Sequence, residues 1–406
     1  MMAKPAGPDC NLKCGYCFYL EKEALFPKGS RCRMSDEVLE AYIRKTADYQ
    51  QCLPELLYAW QGGEPTLMGL DFFRKAVEME KRSAGGRRVV NTLQTNGMLL
   101  DDEWCRFFAE NNFLIGLSLD GPKDIHDRYR KDRGSGPTFD RVMRAMGSMQ
   151  KHGVEFNILA CVTRESAKRP LDVYRFFKEQ DIRFIQFTPV VERVADPLSE
   201  RLGLTLGMPA SIDNSDEANV TPWTTLPEDY GDFLIGIFDE WVKNDIGSVF
   251  VMNFEWFGVN WMGLAQVNCF FSGRCGRAVI VEHNGDVYSC DHFVYPEYRL
   301  GNILEREPGD MIDSEKQLQF GSVKEESLPK YCRECGFLFA CRGECPKHRF
   351  LKTPDGEPGL NYLCAGYKKF FKHISPYMEA ITKTIRMGYP AEKVMDLVRA
   401  GEIQAN

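Results

Sequence analysis

The cysteines of this chain constrain what it can fold into more than any other feature. The 406 residues include 15 cysteines, and eleven of them fall into one N-terminal and one C-terminal group. Segment 1–7 lacks the apolar core of a secretion signal, so we expect a reducing compartment, in which clustered thiols favour metal ligation over disulfides. Four cysteines have no neighbour at ligand spacing and are interpreted as isolated thiols: Cys32, Cys52, Cys105 and Cys161.

The N-terminal group consists of Cys10, Cys14 and Cys17, in the spacing C-x3-C-x2-C. Three thiolates on one loop can hold three irons of a cubane and leave the fourth iron open to an outside ligand, whereas most iron–sulfur sites use four cysteines. A zinc site completed by a distant residue is the alternative on spacing alone.

The C-terminal group has eight cysteines, which is enough to close two four-cysteine sites. Its densest part has the spacing C-x2-C-x5-C-x3-C, a strong metal-ligand pattern. Two zinc ribbons and two iron–sulfur sites are both compatible with this spacing. The residues are Cys269, Cys275, Cys290, Cys332, Cys335, Cys341, Cys345 and Cys364.

The first half of the chain alternates short apolar runs with amphipathic segments. Strands are predicted over 1–5, 56–60, 89–94, 114–119, 155–162 and 184–189, and helices over 36–49, 70–82, 102–111, 138–152 and 171–180. Such alternation indicates parallel strands covered by helices, here an incomplete (β/α)6 barrel of the α/β class with its chemistry at the carboxyl ends of the strands. Ser35 and Thr138 are predicted to cap the helices that they precede.

Later segments indicate further domains. An irregular connection is predicted over 194–227, a helix over 228–244, and a helical tail with a polar end after Lys372. We expect the barrel over 1–230, a helical linker over 231–264, a cysteine-rich domain over 265–370 and the tail over 371–406.

Charge and hydropathy exclude several classes of partner. The formal net charge of -7 argues against broad electrostatic capture of nucleic acid. No apolar run approaches the ~18 residues that a membrane-spanning helix needs. We therefore expect a cytoplasmic protein, a monomer by default, that binds neither nucleic acid nor membrane.

The N-terminal motifs resemble those of radical S-adenosylmethionine (SAM) enzymes. The resemblance lies in C-x3-C-x2-C with an aromatic residue before the last cysteine, and in Gln61-Gly62-Gly63-Glu64-Pro65 directly after a predicted strand. It implies that SAM chelates the open iron of a [4Fe–4S] cluster and yields a 5′-deoxyadenosyl radical. It also implies a set of SAM contacts: Tyr16, Gly63, Glu64, Ser118, Arg130 and Val191.

The C-terminal cysteines resemble the SPASM domain, which follows the barrel in peptide-modifying radical enzymes. This resemblance implies two auxiliary [4Fe–4S] clusters, and so three clusters in all. By the same resemblance one auxiliary cluster has the ligands Cys269, Cys275, Cys290 and Cys345. The other has Cys332, Cys335, Cys341 and Cys364.

Across nearly its whole length the chain is similar to the anaerobic sulfatase-maturating enzymes. The similar segments include CNLKCGYCFYLEK, QGGEPTL, LQTNG, GLSLDGPKDIHD, FNILACVT, GDVYSCDHFVYPEYRLGNI and GLNYLC. The resemblance implies conversion of a cysteine or serine in a nascent sulfatase, within a Cys/Ser-x-Pro-x-Arg motif, into Cα-formylglycine. A low-potential donor such as flavodoxin or ferredoxin is the implied electron source. Relatives carry more residues before the cysteine loop, so we expect a trimmed first strand.

The family resemblance also implies roles for single residues near the reaction. Asp291, beside Cys290, is the expected base for the thiol or hydroxyl proton of the target. Tyr19 and Gln61 are expected to line the substrate pocket, and His292 to be structural.

Two other functions remain open on the sequence. Another SPASM peptide maturase, forming a thioether or carbon–carbon crosslink, would share every cluster motif. A non-enzymatic iron–sulfur carrier or a zinc-binding interaction protein is the alternative from a different class.

Overall fold

The computed structural model describes residues 1–27, 29, 32–209 and 219–405. Its strands are β1 (Met2–Lys4), β2 (Glu55–Trp60), β3 (Arg88–Thr95), β4 (Phe113–Ser118), β5 (Glu155–Val162), β6 (Phe184–Pro189), β7 (Phe250–Val251), β8 (Ile280–Glu282), β9 (Asp286–Tyr288), β10 (Arg299–Asn302), β11 (Leu351–Lys352) and β12 (Pro358–Leu360). Its α-helices are α1 (Asp36–Tyr49), α2 (Leu70–Ser83), α3 (Asp102–Glu110), α4 (Lys123–Tyr129), α5 (Phe139–His152), α6 (Pro170–Glu179), α7 (Pro197–Arg201), α8 (Pro227–Asn244), α9 (Met252–Trp261), α10 (Pro308–Ile312), α11 (Glu315–Glu326), α12 (Lys330–Arg333), α13 (Leu338–Cys341), α14 (Cys364–Arg386) and α15 (Lys393–Arg399). Short 3-10 turns cover Leu20–Leu25, Pro65–Met68, Ser166–Lys168, Asp291–Phe293, Pro296–Tyr298 and Pro346–His348.

One long sheet joins the two halves of the molecule. Among the described residues its strands lie in the order β10-β9-β8-β1-β2-β3-β4-β5-β6-β7. Strands β1 to β7 pair in parallel, β8 pairs in parallel with β1, and β9 and β10 are antiparallel additions. The first six strands and the helices between them form the predicted incomplete barrel, which carries an antiparallel extension from the cysteine-rich half.

The predicted strands and helices of the first half agree with the structure to within a residue at each end. Large aromatic side chains fill the space between sheet and helices, and Trp60 on β2 packs edge-on against Phe73 of α2 with ring centroids 5.6 Å apart. Helix α4 was not predicted. No helix in the described part of the chain has the length and apolarity that a membrane crossing requires.

The two predicted helix caps have different outcomes. Ser35 accepts a hydrogen bond from the Val38 amide at 3.3 Å and caps α1 as predicted. The prediction for Thr138 is wrong, because its hydroxyl donates to the Arg130 carbonyl at 2.7 Å instead. The carboxylate of Asp127 caps α5 in its place, since it accepts hydrogen bonds from the first two backbone amides there at 2.8 and 2.9 Å.

The predicted irregular connection over 194–227 contains α7, and its residues 210–218 lie outside the described residues. Its described part packs on the turn after the cysteine loop, where the Glu21 carboxylate accepts hydrogen bonds from the amides of Thr205 and Leu206 at 2.8 and 3.0 Å. Leu204 and Met208 also pack against Tyr295 of the second half. The described residues at the start of the connection thus lie between the two halves.

The C-terminal helix begins earlier than predicted, at Cys364, and two glycines bring it very close to α8. A Cβ on Gly366 would lie 1.9 Å from the Pro227 carbonyl oxygen, and a Cβ on Gly231 would lie 2.7 Å from the Gly366 carbonyl oxygen. This close crossing fixes the position of Cys364 relative to the barrel side of the molecule.

We predict that Gly366→Ala lowers the free energy of unfolding by about 1–3 kcal/mol, the usual cost of overpacking. The matched control is Gly147→Ala on α5, where the added methyl group meets open space. Because alanine favours a helix interior over glycine, this variant should raise the free energy of unfolding by about 0.5–1 kcal/mol. Thermal unfolding of the anaerobically purified protein measures both changes. Equal midpoints for the two variants would contradict this account of the helix crossing.

Candidate active site

A cavity of about 210 Å³ opens at the carboxyl ends of the barrel strands. The C-terminal half closes its far side with Phe270, Asp291 and His292. The cavity brings together most of the residues predicted to act: Cys10, Cys14, Tyr16, Cys17, Tyr19, Gln61, Gly63, Glu64, Ser118, Arg130 and Asp291. Val191 is the exception, because its side chain is buried in the core while its neighbours Val190 and Glu192 line the cavity.

The three thiols of the N-terminal loop face this cavity from one side. Burial raises the pKa of Cys10 to about 12 and also raises the pKa values of Cys14 and Cys17. The Leu12 amide, at 3.3 Å, and the Asn96 side-chain amide, at 3.6 Å, donate to the Cys10 sulfur. Three enclosed sulfur donors whose bare thiolates are disfavoured form a ligand set that fits a cationic iron–sulfur group.

Gly63 holds the loop after β2 against the cysteine loop. A Cβ on Gly63 would lie 2.0 Å from the Asp9 carbonyl oxygen, so no other residue fits at this position without moving the backbone. The Gly63 amide donates to the Gly7 carbonyl at 2.7 Å, and the next amide along the chain donates to the Asp9 carbonyl at 2.8 Å. The two motifs therefore form one unit.

The carboxyl group of Glu64 is fully buried and already has several partners. Its Oε1 accepts hydrogen bonds from the hydroxyls of Thr66 and Thr95 at 2.6 and 2.8 Å, and its Oε2 accepts one from the Asn96 amide at 2.8 Å. Burial nevertheless raises the pKa of Glu64. Glu64 thus ties the loop after β2 to the loop after β3, and this fixes one wall of the cavity.

Arg130 and Tyr16 belong to a buried network around Asp120. Arg130 makes two hydrogen bonds with the Asp120 carboxylate, at 2.9 and 3.0 Å, and the Tyr16 hydroxyl donates to it at 2.6 Å. Burial alone would raise the pKa of Asp120, but the guanidinium holds it below its ordinary value. The network positions Arg130 beside Ser118 and Cys161 at the cavity.

Asp291 faces the thiols from the opposite wall, in the turn directly after Cys290. It forms an ion pair with Lys4, whose side chain is only 2% exposed, whereas 28% of the Asp291 side chain remains accessible. Burial alone would raise the pKa of Asp291, but the nearby ammonium of Lys4 lowers it below its ordinary value. The Asp291 carboxyl group is therefore ionised at neutral pH.

Tyr19 and Gln61 both line the cavity, but their polar groups already bond to the protein. The Tyr19 hydroxyl donates to Glu282, and the Gln61 side-chain amide donates to Gln94. His292 lies with its Nδ1 3.7 Å from the Cys345 sulfur, and burial lowers the pKa of its ring to about 3. His292 is accordingly neutral.

Four C-terminal cysteines surround a second cavity, of about 780 Å³: Cys269, Cys275, Cys290 and Cys345. This second cavity shares Phe270, Asp291 and His292 with the first. Burial is the largest cause of the raised pKa of each of the four thiols. Asp291 thus lies between two sets of sulfur donors.

The other four cysteines lie on or near α12, α13 and α14. Burial raises the pKa of Cys341 to about 12 and that of Cys364 to about 11, and neighbouring thiols of the same set add to both shifts. These mutual effects indicate that the four thiols lie near one another, and their assignment to one cluster stays a prediction from the family resemblance. In the described part of the chain, no three Cys, His, Asp or Glu side chains converge on a point that suits a single metal ion.

A strained three-residue loop, 342–344, joins the two sets. All three of its residues have left-handed backbone, with φ of 50°, 69° and 51°. The Arg349 guanidinium donates to all three of its carbonyls, at 3.0, 2.8 and 3.3 Å. Because Cys341 and Cys345 flank the loop, Arg349 fixes one cysteine of each set relative to the other.

Sequence reasoning missed several residues of the site. Lys4 and Lys347 both line the cavity, and Lys347 forms a buried ion pair with Glu192. Each lysine lies over an aromatic ring that follows the cysteine loop, Lys4 over Tyr19 at 3.4 Å and Lys347 over Phe18 at 4.5 Å. No local pattern marks these pairs, since their members are far apart in sequence.

Two family models match this chain, one in each half. The Radical SAM superfamily matches residues 5–177, and the SPASM iron–sulfur cluster-binding domain matches residues 269–336. A solved structure, native anSMEcpe with bound AdoMet and Kp18Cys peptide, has a TM-score of 0.81 and 34% identity, and the match covers 95% of this chain and 99% of that chain.

Two enzymes extend the similarity to almost complete chains. The serine-type anaerobic sulfatase-maturating enzyme of Bacteroides thetaiotaomicron is 47% identical over 404 residues, which cover 100% of this chain and 96% of that enzyme. The cysteine-type enzyme of Clostridium perfringens is 35% identical over 389 residues, which cover 95% of this chain and 99% of that enzyme. Such similarity rules out the alternative of a non-enzymatic carrier or zinc-binding protein. The chain is therefore a radical SAM enzyme and belongs to the anaerobic sulfatase-maturating enzymes.

Proposed function

We propose that this enzyme oxidises a serine or cysteine side chain of a sulfatase polypeptide to Cα-formylglycine. The observation that carries the proposal is the cavity itself, in which the thiols of Cys10, Cys14 and Cys17 face the carboxylate of Asp291 across a space of about 210 Å³. Both serine-type and cysteine-type enzymes are among its relatives, so either side chain is a candidate target.

The reaction removes a hydrogen atom, a proton and an electron from the target side chain. When bound, the clusters and SAM supply the radical that takes the hydrogen atom from Cβ and the acceptor for the electron. Asp291 accepts the proton from the target hydroxyl or thiol, since it is ionised and accessible from the cavity. A serine then becomes the aldehyde directly, whereas a cysteine becomes a thioaldehyde, which water hydrolyses to the aldehyde with release of hydrogen sulfide.

The cavity constrains the form of the target. The cavity of about 210 Å³ is lined by both halves of the molecule and also contains the proposed cluster ligands and SAM contacts, so it admits no folded domain. The target residue therefore enters on an extended, unfolded or nascent segment of the sulfatase. The buried ion pair between Lys347 of the C-terminal half and Glu192 of the barrel half lines the same cavity.

The ligand sets support three [4Fe–4S] clusters. The N-terminal thiols hold the cluster that binds SAM, the cysteines around the 780 Å³ cavity hold the first auxiliary cluster, and the set on α12 to α14 holds the second. An external low-potential carrier such as flavodoxin or ferredoxin reduces the first of these. We further propose that the barrel ends at residue 230, the helical linker at 264 and the cysteine-rich domain at 370.

We predict that Asp291→Asn lowers the rate of formylglycine formation by ~10²-fold or more, the usual contribution of a general base. Cluster content and the cleavage of SAM to 5′-deoxyadenosine stay intact, because no cluster ligand changes. Mass spectrometry with aldehyde trapping measures the product from a sulfatase-type peptide.

The control for this variant is Asp310→Asn, which removes an exposed carboxylate on α10. Its formylglycine yield should equal that of the unaltered enzyme. Normal product from Asp291→Asn would contradict its assignment as the base. A thioether or carbon–carbon crosslink in place of the aldehyde would overturn the proposed reaction in favour of another peptide maturase.

A second prediction concerns the cysteine sets. Cys14→Ala abolishes SAM cleavage but leaves the iron of the auxiliary clusters, whereas Cys275→Ala and Cys364→Ala each remove one cluster's complement of iron. Cys52→Ala, in an exposed and isolated position, changes neither property. Iron analysis and electron paramagnetic resonance measure the result, and loss of all iron from the Cys14 variant would contradict separate sites.

A further inference from the structure

Lys4 is a buried cation at the edge of the reaction cavity. Its ammonium forms an ion pair with Oδ1 of Asp291, and its side chain is only 2% exposed. An ammonium so far from water is costly unless it is well paired. We therefore expect further contacts that stabilise the Lys4 side chain in this buried position.

Three contacts hold Lys4 in place. It ends β1, which pairs with β2 on one side and with β8 on the other, and in the second pairing Lys4 stands opposite Glu282. Its ammonium lies 3.4 Å from the centre of the Tyr19 ring. The Tyr19 hydroxyl in turn donates to the buried carboxylate of Glu282, so the ring beneath the ammonium is fixed as well.

The ion pair uses only one oxygen of Asp291. The hydrogen bond from Lys4 goes to Oδ1, and the described residues give Oδ2 no hydrogen bond. Asp291 lines the cavity with 28% of its side chain accessible, and Oδ2 is its oxygen without a hydrogen bond from the described residues. The contact at Oδ1 holds the Asp291 carboxylate beside Lys4 at the cavity.

We propose that Lys4 is a positioning residue, which aims Oδ2 of Asp291 at the proton of the target hydroxyl or thiol. The proposal rests on the proposed function of Asp291 as the base. The proton passes from the target oxygen or sulfur to Oδ2, while the hydrogen atom and the electron leave as described above. Tyr19, which the family resemblance predicts to line the substrate pocket, has a different role in this proposal, because its ring supports the ammonium of Lys4.

The test compares Lys4→Met and Lys4→Arg with the unaltered enzyme, loaded with clusters and supplied with SAM and a sulfatase-type peptide. The readout is the ratio of formylglycine to 5′-deoxyadenosine. For Lys4→Met we expect unchanged iron content and unchanged 5′-deoxyadenosine but a ~10²-fold lower ratio, the loss that a displacement of about 1 Å produces. Lys4→Arg, which keeps a cation, restores most of the ratio.

A matched control and a double variant separate positioning from general damage. Lys45→Met removes another buried lysine, which links α1 to Glu307 of the second half at 2.8 Å and lies outside the cavity lining. It should leave the ratio unchanged. In the Asp291→Asn background, Lys4→Met should add no further loss, because the two residues act as one unit.

The outcomes distinguish this proposal from the one on which it rests. If the unaltered enzyme forms aldehyde and Lys4→Met keeps the normal ratio, Lys4 has no positioning role and the proposed function stands. If Lys4→Met lowers 5′-deoxyadenosine and aldehyde in equal proportion, its role is structural and the proposal fails. If the unaltered enzyme forms no aldehyde, the proposed function itself fails.

Discussion

The placement of strand β1 is the constraint on which the rest of the molecule depends. All three of its residues pair with β8 of the cysteine-rich half, and the first two also pair with β2 of the barrel, so strands on both sides satisfy its backbone hydrogen-bonding groups. One continuous sheet therefore carries the N-terminal thiols and the turn that bears Asp291. The distance across the cavity is set by strand pairing rather than by a flexible linker.

Three ion pairs lie in or beside the cavity wall. Burial alone would raise the pKa values of Asp291 and Asp120, but their cationic partners hold both below their ordinary values. Most of the pairs join elements that are distant in sequence, so they also fasten the halves of the molecule together. The pairs are Lys4 with Asp291, Lys347 with Glu192, and Arg130 with Asp120.

Local patterns in the sequence predict the barrel and its strand bounds, whereas most of the predicted cavity residues follow from the family resemblance and two lining lysines, Lys4 and Lys347, were missed. The motif around Gly63 and Glu64 was found because glycine and acid follow a strand directly. The sequence does not predict the hydrogen-bonding partners of Glu64, because the hydroxyl of Thr95 reaches it from the next strand. The cap of α5 was mispredicted for the same reason, because Asp127 reaches it from a helix that the sequence did not reveal. Lys4 and Asp291 are 287 positions apart, and only the register of β1 with β8 brings them together.

The central claim is that one radical event at Cβ and one proton transfer to Asp291 together form the aldehyde. The most direct measurement uses a sulfatase-type peptide deuterated at Cβ of the target residue, incubated anaerobically with reduced, cluster-loaded enzyme and SAM. The account predicts that deuterium appears in 5′-deoxyadenosine and that formylglycine appears in equal amount. Formylglycine without deuterium in 5′-deoxyadenosine, or deuterium transfer without formylglycine, would contradict it.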